Sequence, residues 1–269
     1  MLVSISHVSR YVYDDIARYT VQSLRLTPPS FAGQRVVTWR ITAPGIETAT
    51  SFVDAFSNLA HLISITGKHS EVVCRAEGLV ETEDRAGVVR GLPEIAPVRV
   101  YLRESDKTVP DDAIRDLGQI ARKGTPIDGL HTLMHTVRDK IDYQIGVTGA
   151  HTSAAEALAA GHGVCQDHAH VFIAAARSIG VPARYVNGYY LSGSDEPAEA
   201  HHAWAEAWVD GLGWVGFDPA NRVCPTGHYV RLATGLDATS AAPIRGNRRG
   251  GTNEALDVLV EVQQANSQQ

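Results

Sequence analysis

Residues 4–13, Ser-Ile-Ser-His-Val-Ser-Arg-Tyr-Val-Tyr, carry much of the two-residue alternation of a half-buried strand. Residues 20–26 and 36–41 repeat the signal, and residues 62–65 and 71–80 read as two further strands. The breaks hold turn chemistry: Thr27-Pro28-Pro29-Ser30, Ala43-Pro44-Gly45 and Phe56-Ser57-Asn58. Prolines at 93, 97 and 110 punctuate a transition segment, after which the period lengthens.

Residues 111–123 open on acidic side chains and close on Arg122, Lys123 and Gly124, the charge order that suits a helix dipole. Thr125-Pro126 begins a second helix, whose stripe is Leu130, Leu133, Met134, Val137 and Ile141. A third, short helix covers residues 153–160, with Ser153 and Glu156 spaced as a capping box. The fourth follows Gly161-His162-Gly163-Val164-Cys165. It is apolar on nearly every side past its first two turns, which predicts burial, and Gly180 and Pro182 end it. Strands are then predicted over 183–191, 201–209 and 213–217. Residues 241–253, rich in Gly, Pro and Arg, read as a surface loop. Residues 256–262 read as a strand with one covered face.

This order predicts an α+β protein of three stretches. A β-rich domain spans 1–105, a core with a buried helix on an antiparallel sheet spans 106–240, and a loop and strand at 241–269 pack back on the protein. The 269 residues are 44% hydrophobic and 20% charged, which excludes a disordered chain. A net charge of −6 removes the basic footprint of a nucleic-acid binder and of a polybasic membrane anchor. With no leader-like start and no spanning apolar run, the expected location is the cytoplasm, away from membranes. The three cysteines, Cys74, Cys165 and Cys224, lie far apart, against both a disulfide scaffold and a four-cysteine zinc site.

Cys165 stands where a helix begins. Unpaired amides and the positive end of the helix dipole there favour a thiolate, although a buried cysteine often serves only as a small hydrophobe. In residues 201–209, alternation puts His202, Trp204, Glu206 and Trp208 on one face and Ala203, Ala205 and Ala207 on the other. Asp218 ends the next strand. If Val209 pairs with Gly213 across Asp210-Gly211-Leu212, Asp218 faces Trp204 and lies diagonal to His202, in reach of its ring. A two- or four-residue loop throws Asp218 to the opposite face. Cys165, His202 and Asp218 then offer a nucleophile, a base and an orienting carboxylate.

Gly163-Val164-Cys165-Gln166-Asp167, Gly180-Val181-Pro182-Ala183-Arg184-Tyr185-Val186, His202-Ala203-Trp204-Ala205-Glu206 and Gly213-Trp214-Val215-Gly216-Phe217-Asp218-Pro219 resemble the bacterial transglutaminase-like superfamily. His7, Tyr11, Tyr13 and Leu24-Arg25-Leu26-Thr27-Pro28 are similar to the N-terminal region preceding its core. Members are often labelled, provisionally, cysteine proteases. The resemblance implies a papain-like core with a Cys165–His202–Asp218 triad. His168 departs from the family pattern, which has an aromatic residue there, while His170 fits it.

The expected activity is thioester formation with a peptide or glutamine amide, resolved by water (peptidase or amidase) or by an amine (transglutaminase). The partner is a peptide or protein amide substrate, with no cofactor and no metal. An inactive binding or scaffold module of the same fold is the alternative. Tyr143 is a candidate oxyanion donor beside the Cys165 amide, and His168 and Trp204 are candidate site walls. His162, Cys165, His168 and His170 cluster in sequence, but His170 points away from the face shared by Cys165 and His168, which disfavours zinc. Arg184 and Tyr185 are expected to tie the helix end to the sheet, with Glu206 in a salt bridge or solvated. Cys74 and Cys224 are expected to be structural. Oligomeric state and calcium dependence are left open, although no acidic run resembles an EF-hand loop.

Overall fold

The computed structural model describes residues 1–192 and 201–265. Its elements run β1 (Leu2–Leu24), β2 (Gln34–Thr42), β3 (Thr50–Val53), β4 (Leu59–Thr82) and β5 (Val88–Val89). They continue with α1 (Asp112–Ile120), α2 (Pro126–Lys140), β6 (Asp142–Tyr143), α3 (Ala154–Ala160), β7 (His162–Gly163) and α4 (Cys165–Ser178). Strands β8 (Ala183–Tyr190), β9 (His201–Val209), β10 (Gly213–Phe217), β11 (Tyr229–Gly235), β12 (Ile244–Gly250) and β13 (Glu254–Gln264) complete the chain. The class is the expected α+β arrangement of antiparallel sheets around a buried helix. A front sheet has the order β12-β1-β4-β2, with β13 also on β1 and β3 on β4. The core sheet has the order β11-β8-β9-β10-β5.

The helices begin as their sequences dictate. Asp111 and Thr125 accept the amides of Ile114 and Asp128 at the starts of α1 and α2. Ser153 and Glu156 form a reciprocal capping box at α3. Helix α4 lies on the core sheet, where Ala203, Ala205 and Ala207 present a flat surface to Ala169, Phe172 and Ile173. The α2 stripe, Leu130, Leu133, Met134 and Val137, is buried in the same cluster.

Four strand readings in the front sheet need correction. Residues 4–13 and 20–24 belong to one strand, β1, which ends before Arg25 and Leu26, and residues 62–65 and 71–80 belong to another, β4. The β1–β4 ladder slips between Val12 and Ala17 and again between Ala17 and Tyr19. Buried positions are therefore odd up to Tyr13 and even from Thr20, and a change of phase reads as two strands. The expected loop at 241–253 holds strand β12, paired with Ala17–Leu24 of β1. Its Arg-rich sequence has no apolar alternation, and Gly246 is needed because a Cβ there would lie 2.3 Å from the Val21 carbonyl. The tail is the expected strand, but only Val260 and Val262 pack on the core, while Leu256 and Val258 remain about half exposed. Strand β5, from the stretch assigned by sequence to the front domain, closes the core sheet by pairing Val88 and Val89 with Val215 and Trp214.

The two sheets share a core in which Val3, Ile5, Tyr11 and Val72 meet Tyr189, Val230 and Leu232. Side chains of the front sheet also cap the outer edge of β11. The Gln34 amide donates to the Arg231 carbonyl at 2.8 Å and accepts the Arg231 N–H at 2.7 Å. Asn58 repeats the pattern on Thr234, at 2.8 Å in each direction. Two carboxamides thus do for β11 what a neighbouring strand would do. Among the described residues no helix is long and apolar enough to cross a membrane.

Candidate active site

The turn before α4 is clamped from three sides. Strand β6 runs parallel to β7, pairing Tyr143 with Gly163, and the Gln144 amide donates to the Gly163 carbonyl. Asp167, three residues into the first turn, accepts the Val164 N–H at 2.8 Å and the Thr148 hydroxyl at 2.6 Å on the same oxygen. Gly163 leaves room for that carboxylate, since an added Cβ would sit 2.6 Å from its Oδ2. Cys165 is the first helical residue and is buried. Its amide is therefore a first-turn donor that no helical carbonyl can reach.

The β9–β10 hairpin has the register derived from sequence. Val209 faces Gly213, Trp208 faces Trp214, and Ala205 faces Phe217, across the three-residue Asp210–Leu212 loop. The fully buried Asp218 accepts from His202 Nε2 at 2.7 Å through Oδ2. The Cys165 thiol is among the groups that act on the same imidazole and help to hold its proton. The three side chains singled out by sequence thus come together.

Burial alone would push the His202 pKa down. Hydrogen bonds to Asp218 and Cys165, reinforced by their charges, overcome it and raise the imidazole to about 10. Burial likewise opposes ionisation of Asp218, yet its donors hold the carboxyl below the usual range.

Two residues of this cluster were missed by sequence. Tyr229, on β11, donates its hydroxyl to Asp218 Oδ2 at 2.7 Å. Asn221 donates its side-chain N–H to the same oxygen at 2.8 Å, and its backbone N–H reaches Oδ1 at 3.3 Å. Asn221 lies three residues past Asp218, a spacing typical of a side-chain-to-backbone turn, so it had a local signal. Tyr229 had none, since it arrives on the next strand. Trp204 is buried with its ring 6.4 Å from that of His202 and edge-on to Tyr229, a wall on one side of the imidazole.

His168 does not face the sulfur through a free nitrogen. Its Nδ1 lies 2.8 Å from the Val164 carbonyl and its Nε2 3.0 Å from that of Ile141, so it braces the helix start against the end of α2. The Tyr143 ring stacks loosely on it at 6.1 Å. His170 accepts the Ala238 N–H at 3.0 Å, tying α4 to the segment after β11. Both nitrogens of His168 and one of His170 are thus engaged within the fold. Among the described residues no three His, Cys, Asp or Glu side chains are grouped so as to hold a metal ion.

Arg184 is fully buried, and it does not tie the helix end as expected. It donates from Nε to Glu206 at 2.6 Å, pairs with Glu94 at 2.9 Å, and lies 4.0 Å over the Trp214 ring. Arg231 reaches the other oxygen of Glu206 at 2.9 Å. Glu206 is therefore a buried bridge between two guanidinium groups. Burial pushes the Cys74 thiol up to about 12 and, aided by Asp84, that of Cys224 up to about 11.

Residues 116–219 match the model of the transglutaminase-like superfamily, and residues 3–81 match the bacterial transglutaminase-like N-terminal region. An uncharacterised protein of Mycobacterium leprae is 30% identical over 272 residues, spanning 96% of this chain and 97% of that one. The chain belongs to the bacterial transglutaminase-like family. A crystal structure from Cytophaga hutchinsonii, provisionally described as a cysteine protease, superposes with a TM-score of 0.78. The match covers 100% of this chain and 92% of that one at 22% identity, which marks a shared fold. Over 87 residues, 29% of this chain, the sequence is 33% identical to a protein-glutamine gamma-glutamyltransferase of Pseudomonas aeruginosa, of which 12% is covered.

Proposed function

We propose that the protein is a cysteine enzyme acting on amide bonds, with Cys165 as nucleophile, His202 as proton carrier and Asp218 as its orienting carboxylate. One observation carries the reading. A single buried imidazole holds the Asp218 carboxylate through Nε2 and is acted on by the thiol at the start of a helix.

In the reaction, His202 takes the Cys165 proton and the sulfur attacks the amide carbon. In this reading the Cys165 backbone N–H stabilises the developing oxyanion, with Tyr143 as the candidate second donor. The C–N bond breaks as His202 passes its proton to the departing amine, leaving a thioester. Water or a second amine, deprotonated by His202, then attacks the thioester and restores the thiol. The product is a carboxylate in the first case and a new amide in the second. Trp204 and Tyr229 screen the imidazole from water, which strengthens its pairing with Asp218.

Hydrolysis is the favoured outcome, because water is the acceptor always at hand. Likeness to a protein-glutamine gamma-glutamyltransferase over 29% of this chain supports amine capture as the second outcome. A peptide library assayed in parallel for hydrolysis and for incorporation of a labelled amine separates the two. Iodoacetamide at mildly acidic pH should modify Cys165 ahead of Cys74 and Cys224, as read by peptide mapping. Cys165→Ala should abolish turnover. Full activity in that variant would overturn the cysteine mechanism, and absence of turnover with indifferent labelling of the three thiols would leave the inactive scaffold as the better reading.

A further inference from the structure

Strand β13 pairs with β1 over eleven consecutive residues, without a register slip. The Ala265 amide donates to the Leu2 carbonyl, which sets the parity of the ladder. Odd-numbered residues of β13 point their backbone groups at β1, so Glu254, Leu256, Val258, Val260, Val262 and Gln264 direct theirs outward. Among the described residues no strand pairs with that outer edge. Edges are usually blunted by lysine, proline, a bulge or an inward charge. Here Glu254–Gln264 has neither lysine nor proline, and its inner-facing run is Leu256, Val258, Val260, Val262. Leu256 is 51% exposed, Val258 48% and Leu259 61%.

We propose that this edge pairs with the same edge of a second copy of the chain, forming a two-fold antiparallel dimer centred on Val258. An identical strand matches this edge because it sets the same exposed apolar run against Leu256 and Val258, and the charge pattern selects the register. Pairing centred on Leu259 sets Asp257 opposite Glu261 twice, a like-charge contact that antiparallel strands disfavour. Centring on Val258 removes the clash. It sets Val258 against its counterpart, the exposed Leu256 against Val260 of the other copy, and Glu261 against Ala255. The shared ladder adds about ten backbone hydrogen bonds and joins the two front sheets into one. The interface is isologous, so it closes on itself instead of growing into a fibre.

The test uses the full chain and does not depend on its chemistry. Sedimentation velocity from low to high micromolar concentration should show a species of twice the 29.0 kDa chain mass. Val258→Lys should weaken association about tenfold or more, because two ammonium groups meet at the axis. Val258→Glu should do the same. An equimolar mixture of these two variants should regain the dimer, since only a residue that meets itself gives that rescue. Val258→Pro removes an outward N–H and no bond to β1, and should also yield monomer, with an unchanged circular dichroism spectrum showing that the fold survives. A chain that stays monomeric at high micromolar concentration overturns the proposal. So does a dimer indifferent to all three variants, or a mixture that fails to reassociate.

Discussion

Tyr229 and His202 donate to one and the same atom, Asp218 Oδ2, each at 2.7 Å. The carboxylate charge is thus shared between a phenol and the imidazole, with Asn221 as a third donor. Tyr229→Phe should concentrate that charge on His202 and move its NMR titration midpoint upward from about 10. Asp218→Asn should move it down by more than about one unit, because the amide brings no charge. If the midpoint ignores both changes, the imidazole is governed by something other than Asp218.

Gly163→Ala is expected to damage the turn before α4 without touching the side chains of Cys165, His202 or Asp218. The new methyl would collide with the Asp167 carboxylate, which caps Val164 and holds Thr148. The loss should be about 1–2 kcal/mol of stability, the usual worth of a helix cap. Alkylation of Cys165 should slow as well. Thermal unfolding and iodoacetamide kinetics on one preparation read both effects.

Acid should unfold this protein by way of three histidines. Burial depresses His7 to about 3, His170 to about 3 and His201 to about 4 from the ordinary 6.5. The unfolded chain binds these protons first, so stability declines as pH falls below about 6.5 and keeps declining to about 3. His202 works the other way. Its raised pKa gives a contribution that is complete below about 6.5 and is lost as pH rises toward about 10. Urea midpoints should therefore peak near neutrality. His7→Gln, which removes one buried titrating ring, should shallow the acid limb.

Glu206→Gln should cost about 3–5 kcal/mol, since it leaves Arg184 and Arg231 buried with their shared anion removed. Chemical denaturation measures it. A loss under about 1 kcal/mol would mean that solvent reaches the cluster after removal of the charge.

The candidate site was more legible than the fold around it. Cys165, His202 and Asp218 could be joined on paper because a helix start, a strand alternation and a three-residue hairpin loop are local signals. Tyr229 was not legible, because its approach to Asp218 depends on how β11 reaches the sheet. The role of Arg184 was misread for a similar reason. Its partners are Glu206 on a neighbouring strand and Glu94, ninety residues away in sequence. In the front half, β1 and β4 were each cut in two because a bulge reverses which residues face inward. Strand β12 was hidden because arginine and glycine on an outer strand leave no apolar rhythm.

The carboxamides of Gln34 and Asn58 make the N-terminal half a prerequisite for the C-terminal half. A truncated chain beginning after Thr82 would bare the amides and carbonyls of Arg231 and Thr234 together with the greasy patch around Tyr189. Such a fragment would be sticky and poorly behaved however intact its sulfur and imidazole. Excision of the C-terminal half alone is therefore the wrong way to obtain a well-behaved preparation of this protein.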